Sequence, residues 1–360
     1  MKKAVSLVCA CIMLLSTACG KADSSGSSSD SSGTKKNNAS SSSAGTSSVK
    51  EKSVIAKIKD LNSSTDTSSE EQPEIKKDHI DEIVEKGNVE EFSALNSYMF
   101  SYEDISEVYS NEEINKCMQE ISDIIADANC NISISYKNMV TGSQVYCNPS
   151  FEYQVCSPIK APYVKSLLEN GVDLDEEIVR DERWMDDDRT VASADPGTKY
   201  TVKELMYYAL NESDNTAYYL LYKKFGWQWF NDLMNEIGGG MYLGYDWLYT
   251  KCNVMQIAKC FWDIYDYAEE TDEGKMMVDM MVDGEYNYQI GQALGKKYKV
   301  AQKYGSEFEF LSFHDCAIVY ADSPFVLCIY TDLYPETDDN CVIFRDLAEK
   351  FDDLNRLIVS

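Results

Sequence analysis

Ser157 and Lys160 stand three residues apart in Val155-Cys156-Ser157-Pro158-Ile159-Lys160, at the head of the run APYVKSLLENG. Proline is accepted in a first helical turn, where its missing N–H has no partner to lose. Val164, Leu167 and Leu168 then recur at helical spacing, and Asn170-Gly171 supplies a stop signal. The pattern predicts a helix opening at Ser157, beside unpaired backbone N–H groups and the positive end of the helix dipole. Lys160 falls about one turn on, along the same face. A hydroxyl, an amine able to take its proton and N–H donors able to hold an oxyanion are the parts of an acyl-transfer site. The pair by itself is a common coincidence, and its weight comes from what surrounds it.

The elements that must position these groups can be read in order. A helix is expected from Asn111 to about Ala128, with Ile114, Met118, Ile121 and Ile124/Ile125 as its apolar stripe. Ile132, Ile134 and Tyr136 alternate with Ser133 and Ser135, the period of a half-buried strand; Thr141-Gly142 turns the chain, and 143–147 returns as a second strand. After the serine helix comes a helix-rich stretch to about residue 290. Thr201-x-x-Glu204 reads as a capping box, Asn211 to Asn215 interrupts, and TAYYLLYKKF resumes the helix. Further helices are expected at 227–237, ending at the triple glycine 238–240, then around Val254 to Phe261 and at 275–282. The end of the chain turns to strands at 299–304, 315–321 and 325–331, followed by a last helix bearing Ile343, Leu347, Phe351, Leu354 and Ile358. Strands at both ends with helices between them imply an α+β fold: one antiparallel sheet built from distant segments, with an inserted all-helical lobe. The site belongs in the cleft between the two.

Two further triplets follow Ser157-x-x-Lys160 in order, Ser213-Asp214-Asn215 and Lys303-Tyr304-Gly305. Serine-x-x-lysine, Ser-Asp-Asn and Lys-Thr-Gly, in that order, are the motifs of class A β-lactamases and penicillin-binding proteins. Residues 110 to 358 resemble that superfamily, including NESDNTAYYLL and HDCAIVYADSPFVLCIYTD around the second and third motifs. The resemblance implies that Ser157 is the nucleophile and Lys160 its base, with the ammonium pKa lowered by burial and nearby cations. Ser213 and Lys303 would relay the proton to the leaving nitrogen. Asn215 would bond substrate and Lys160, and Lys303 would attract a substrate carboxylate. Gly305 would leave room for substrate to pair with the strand backbone, and the N–H groups of Ser157 and Ser306 would form the oxyanion hole. Serine–lysine chemistry needs neither of the chain's two histidines, His79 and His314. Each residue taken singly has a plainer reading: Ser157 or Ser213-Asp214 as a helix cap, Lys160 and Lys303 as solvated lysines.

Two departures bear on activity. Tyr304 stands where a Thr or Ser is usual, replacing a small hydroxyl that would contact a substrate carboxylate. Class A enzymes also carry Glu-x-x-Leu-Asn between the second and third motifs, and that glutamate activates the deacylating water. Residues 238–252, GGGMYLGYDWLYTKC, have no such motif, and Asp246 is their only acid. Acylation at Ser157 by β-lactams or D-Ala-D-Ala-like peptides is therefore expected, with slow deacylation. The alternatives are a non-hydrolysing penicillin-binding wall enzyme or sensor, and a catalytically inactive wall-binding module.

The remainder of the chain concerns placement. Lys2, Lys3, the apolar run AVSLVCACIMLL and small residues up to Ala18 read as a secretory signal. Cys19-Gly20 resembles a lipoprotein site in which Cys19 is acylated, although Ser16 stands where an aliphatic residue is usual; cleavage after Ala18 is the alternative. From Gly20 to Pro73 the chain is polar and without aromatics, the composition of a disordered tether. Four segments are thus expected: signal 1–18, tether 19–73, an acidic helical lead-in at 74–110 and a catalytic domain at 111–360. A formal net charge of −28 argues against nucleic acid as a partner, leaving the lipid anchor as the route to a membrane. Of twelve cysteines, Cys9, Cys11 and Cys19 belong to the signal and its cleavage site, leaving nine without C-x-x-C spacing and only two histidines to join them, so neither a metal nor another cofactor is expected. Buried thiols are the expected state of most, and the protein is expected to be a monomer.

Overall fold

The computed structural model describes residues 88–92, 97–101, 108, 110–128, 130–184, 188–245, 247–282, 284–334 and 336–360. The expected signal and tether (1–73), Cys19, His79 and Asp246 lie outside them. In chain order the elements are β1 (Asn88–Phe92), β2 (Ser97–Ser101), α1 (Glu112–Asp127), β3 (Ile132–Asn138), β4 (Gln144–Cys147) and β5 (Tyr153–Gln154). A 3-10 turn (Ser157–Ile159) leads into α2 (Lys160–Glu169), followed by β6 (Glu177–Val179), α3 (Thr190–Ser193), β7 (Lys199–Thr201), α4 (Val202–Leu210), α5 (Asn215–Phe225) and α6 (Gln228–Ile237). Then come β8 (Lys251–Cys252), α7 (Val254–Glu270), α8 (Asp272–Met280), α9 (Ile290–Leu294), β9 (Lys299–Glu307), β10 (Ser312–Tyr320), β11 (Phe325–Thr331) and α10 (Asp338–Ile358).

Seven strands form one antiparallel sheet in the order β1-β2-β4-β3-β11-β10-β9. The earlier and later groups of strands meet where β3 pairs with β11, Tyr136 opposite Leu327. Helices cover both faces. Phe325, Leu327 and Ile329 point into a core shared with α1 and α10 (Ile121, Ile125, Phe344, Leu347, Phe351), while Val326, Cys328 and Tyr330 point into the larger core of the helical lobe. That is why FVLCIYT is apolar without alternation: a central strand buried on both sides has no polar face. The same fact corrects the half-buried reading of β3. Ser133 and Ser135 are fully buried against the lobe, and the Ser133 hydroxyl donates to the Asn148 carbonyl at 2.8 Å.

Most other elements follow their sequence signals. Asn111 caps α1 by accepting from the N–H groups of Glu113 and Ile114. Thr201 and Glu204 form both bonds of the capping box at α4, an arrangement worth about 1 kcal/mol. Gly238 closes α6 in the left-handed conformation. The helical lead-in is overturned where it is described: 88–92 and 97–101 form a hairpin, and β2 joins the main sheet through Tyr98 opposite Tyr146. NVEEF has little strand character of its own; pairing to an existing edge supplies the missing stabilisation. The nine cysteines of the described residues form no disulfide among themselves, and all but the half-buried Cys130 are buried. Among the described residues no helix is long and apolar enough to cross a membrane.

Candidate active site

The serine turn is held from three sides. β5 pairs with β8, Gln154 opposite Lys251; the Val155 N–H donates to the Thr250 carbonyl at 2.9 Å. His314 Nε2 lies 2.9 Å from the Gln154 carbonyl, while its Nδ1 accepts from the Thr331 N–H at 3.2 Å. Those partners require the neutral ring protonated at Nε2, and burial accordingly pushes its pKa down to about 3. His314 is therefore a brace between β10 and the segment leading to Ser157, with neither nitrogen left to act as a base.

Cys156 then adopts φ 54°, ψ −151°, a costly conformation for a residue with a side chain, immediately before the serine. The turn that follows is 3-10 rather than α, with the Lys160 N–H donating to the Ser157 carbonyl. Three residues per turn eclipse positions i and i+3, so this turn aligns Ser157 and Lys160 more directly than the expected α-helix would. From Lys160 the chain continues as α2, which is buried on every side to Leu168; its second lysine, Lys165, survives there by pairing with Glu169 at 2.6 Å and Asp263 at 2.8 Å.

Ser213 occupies the junction between α4 and α5 in a left-handed conformation, φ 59°. Asp214 fixes that junction. One carboxylate oxygen accepts from the Ala217 N–H at 2.8 Å, and the other from Val191 at 2.7 Å and Ala192 at 3.2 Å. Asp214 thus caps α5 and ties it to α3, the plainer reading applying to this member of the triplet. Ser213 and Asn215 project instead to Lys160, which is 0% exposed. Its Nζ donates to the Ser213 carbonyl at 2.7 Å and Asn215 Oδ1 at 2.7 Å, with Ser213 Oγ at 3.4 Å.

Lys303, 1% exposed on β9, approaches from the sheet and donates to Ser213 Oγ at 2.8 Å and to the Tyr304 carbonyl at 3.1 Å. One hydroxyl therefore lies between two buried amines that are 143 positions apart in sequence. Burial, then the nearby charges of Lys160 and Arg189, hold the Lys303 ammonium pKa well below the usual lysine range. Neither lysine is solvated.

β9 is the outer strand of the sheet, and Gly305 brings it against the serine turn. A Cβ at Gly305 would lie 2.5 Å from both Ser157 N and Pro158 Cδ, and 2.9 Å from Cys156 Cβ. The expected reason for this glycine, space for substrate, is thereby joined by a nearer one: the backbone of Ser157 occupies the place a side chain would take. Tyr304 faces the opposite way. Its ring packs in the α1/α10-side core, stacked on Tyr286 at 5.2 Å, and its hydroxyl accepts from Arg189 at 3.2 Å. Ser306 donates its hydroxyl to Glu336.

Four residues at this site escaped the sequence reading. Arg189 lies 3.9 Å over the Tyr286 ring, and Tyr249 donates to Asn215 Oδ1 at 2.8 Å. Glu336 is the fourth. Tyr249 did lie within the 238–252 segment singled out for its missing glutamate, but nothing in its spacing marked it. No local pattern marks the others, which gain their places through contacts across long stretches of chain.

A family model described as the beta-lactamase enzyme family matches residues 116–353. Among solved structures, PBP-A superimposes with a TM-score of 0.57 at 17% identity, covering 66% of this chain and 94% of that one. A PBP-A mutant with the same values was solved as an acyl-enzyme complex with penicillin G. The beta-lactamase of Sphaerobacter thermophilus gives 0.57 at 17% identity over 66% and 95% of the two chains. Carbapenemase VCC-1 from Vibrio cholerae gives 0.55 at 18% over 64% and 97%. At such identities the likeness is one of fold. No curated protein matches the chain.

Proposed function

The chain belongs to the beta-lactamase enzyme family, and from that premise we propose that it is an extracytoplasmic serine acyl-hydrolase that is acylated at Ser157 and deacylates slowly. The observation that carries this reading is the Ser213 hydroxyl, set between Lys160 Nζ and Lys303 Nζ beside the serine turn. A neutral Lys160 would spend its two N–H bonds on the Ser213 carbonyl and Asn215 Oδ1. Its lone pair is then available to the Ser157 proton.

Ser157 Oγ attacks the β-lactam or peptide carbonyl carbon while Lys160 takes the hydroxyl proton. The oxyanion is met by the Ser157 N–H, which as the first of a helical turn has no intrahelical acceptor, and by the Ser306 N–H across the close contact at Gly305. As the C–N bond breaks, Ser213 gives its proton to the leaving nitrogen and is reprotonated from the lysine side. The outer edge of β9 offers backbone groups for the substrate to pair with, as an added strand would. Arg189 and Lys303 supply positive charge at the end of that edge.

Hydrolysis of the ester needs an activated water. Residues 238–252 present the Tyr249 hydroxyl to Asn215 rather than a glutamate, which supports slow turnover and keeps a non-hydrolysing penicillin-binding enzyme or sensor as the second reading. Reaction with a chromogenic β-lactam is the test. A burst of about one product per enzyme followed by a much slower steady rate is expected. Rapid turnover without a burst would overturn slow deacylation, and the absence of any mass increase at Ser157 would overturn the acylation reading itself.

A further inference from the structure

The end of β9 carries a cationic corner that is already occupied. On β9 the Ser306 hydroxyl donates to the Glu336 carboxylate and, two residues back on the same face, the Tyr304 hydroxyl accepts from Arg189; the charges of Arg189 and Lys303 oppose the rise in the Glu336 pKa that desolvation causes. Glu336 comes from the short connection between β11 and α10, far from β9 in sequence. Its charge is felt in turn at Lys303 and Tyr304 and at Cys156, the residue before the nucleophile. The other acid felt by Lys303 is Asp315, and it is turned inward: fully buried, it accepts from the Ile290 N–H at 3.1 Å. Glu336 by contrast stands on a connecting segment rather than in the ladder: the residue as a whole is exposed, while its carboxylate is turned in and desolvated against the corner.

We propose that Glu336 is an internal carboxylate seated where a carboxylate of the acyl donor would otherwise bind, so that the site disfavours anionic donors and prefers a neutral or cationic group at that position. This rests on the acylation reading above. An anionic donor must displace Glu336 or sit beside it with like charges in contact, whereas a neutral donor meets no such opposition. A donor with an ammonium or amide group there would gain Glu336 as a partner.

The full chain and Glu336→Gln are compared in two measurements. In the first, intact-mass kinetics follow acylation by penicillin G and by its methyl ester. Penicillin G is expected to acylate Glu336→Gln about tenfold faster than the wild type, and the ester less than about twofold faster. In the second, thermal melting is followed with sulfate at constant ionic strength. Sulfate needs only the cationic corner, and is expected to raise the Tm of Glu336→Gln clearly more than that of the wild type. Equal sulfate shifts in the two proteins, or an acceleration shared equally by the ester, would overturn the proposal. A sulfate shift confined to the variant with no acylation of either protein would uphold Glu336 as the corner's occupant and refute the acylation reading instead.

Discussion

Lys303 Nζ donates to Ser213 Oγ at 2.8 Å, joining the edge strand β9 to the junction of α4 and α5. Ser213 Oγ also stands 3.4 Å from Lys160 Nζ, so the three groups should behave as one relay. Ser157→Ala is expected to abolish covalent labelling by a fluorescent penicillin. Ser213→Ala and Lys303→Ala should each slow labelling by about 10²–10⁴-fold. Members of one relay are not additive, so the double variant should be little worse than the poorer single one. Multiplicative losses would show that the two act separately.

Gly305→Ala tests the contact between β9 and the Ser157 turn. The added methyl would meet Ser157 N and Pro158 Cδ, backbone and ring atoms that cannot swing aside as a flexible side chain would. A destabilisation of about 1–3 kcal/mol is expected from overpacking, with a fall in labelling rate larger than that of Gly142→Ala, which lies in the distant β3–β4 turn. A variant with wild-type melting and labelling would mean that the strand and the turn are further apart than described.

Asp315 sets a pH dependence of stability. It stands opposite Tyr304 in the β9–β10 ladder, and burial pushes its carboxyl up to about 7. An unfolded carboxyl titrates near 3.9, so between about pH 4 and 7 the folded state holds the extra proton, and stability falls as pH rises through that window. Asp315→Asn keeps an oxygen for the Ile290 N–H and removes the charge. Denaturant melts at pH 5 and pH 8 should show the wild type losing roughly 1–3 kcal/mol more than the variant. Parallel losses would remove Asp315 from the explanation.

The lipid anchor is a proposal that stands apart from the catalytic one. Cys19→Ala should release the protein from membranes into the medium, as loss of an acylated cysteine removes the hydrophobic attachment. Equal membrane retention of the variant would refute the anchor and leave the acylation reading untouched.

What could be read from the sequence was whatever is encoded over one or two turns of chain. The Thr201–Glu204 capping box, the apolar stripe of α1, the apolar β11 and the order of the three motifs all belong to this class, and together they specify an α+β fold and a candidate serine–lysine pair. Each depends on neighbours within a few residues, where side-chain spacing and backbone hydrogen bonding leave a regular trace. The strand pair β1–β2 leaves none, because β2 is held by β4, more than forty residues on, and β1 by β2. Only the tertiary structure could decide that Gly305 makes way for Ser157 itself, that Asp214 braces the lobe while Ser213 faces two amines, and that Arg189 claims the Tyr304 hydroxyl. It alone brings Glu336 to Ser306. These pairs are chosen by where the packed sheet and lobe place distant surfaces, and by the cost of leaving a buried amine or carboxylate without a partner, which no local spacing records.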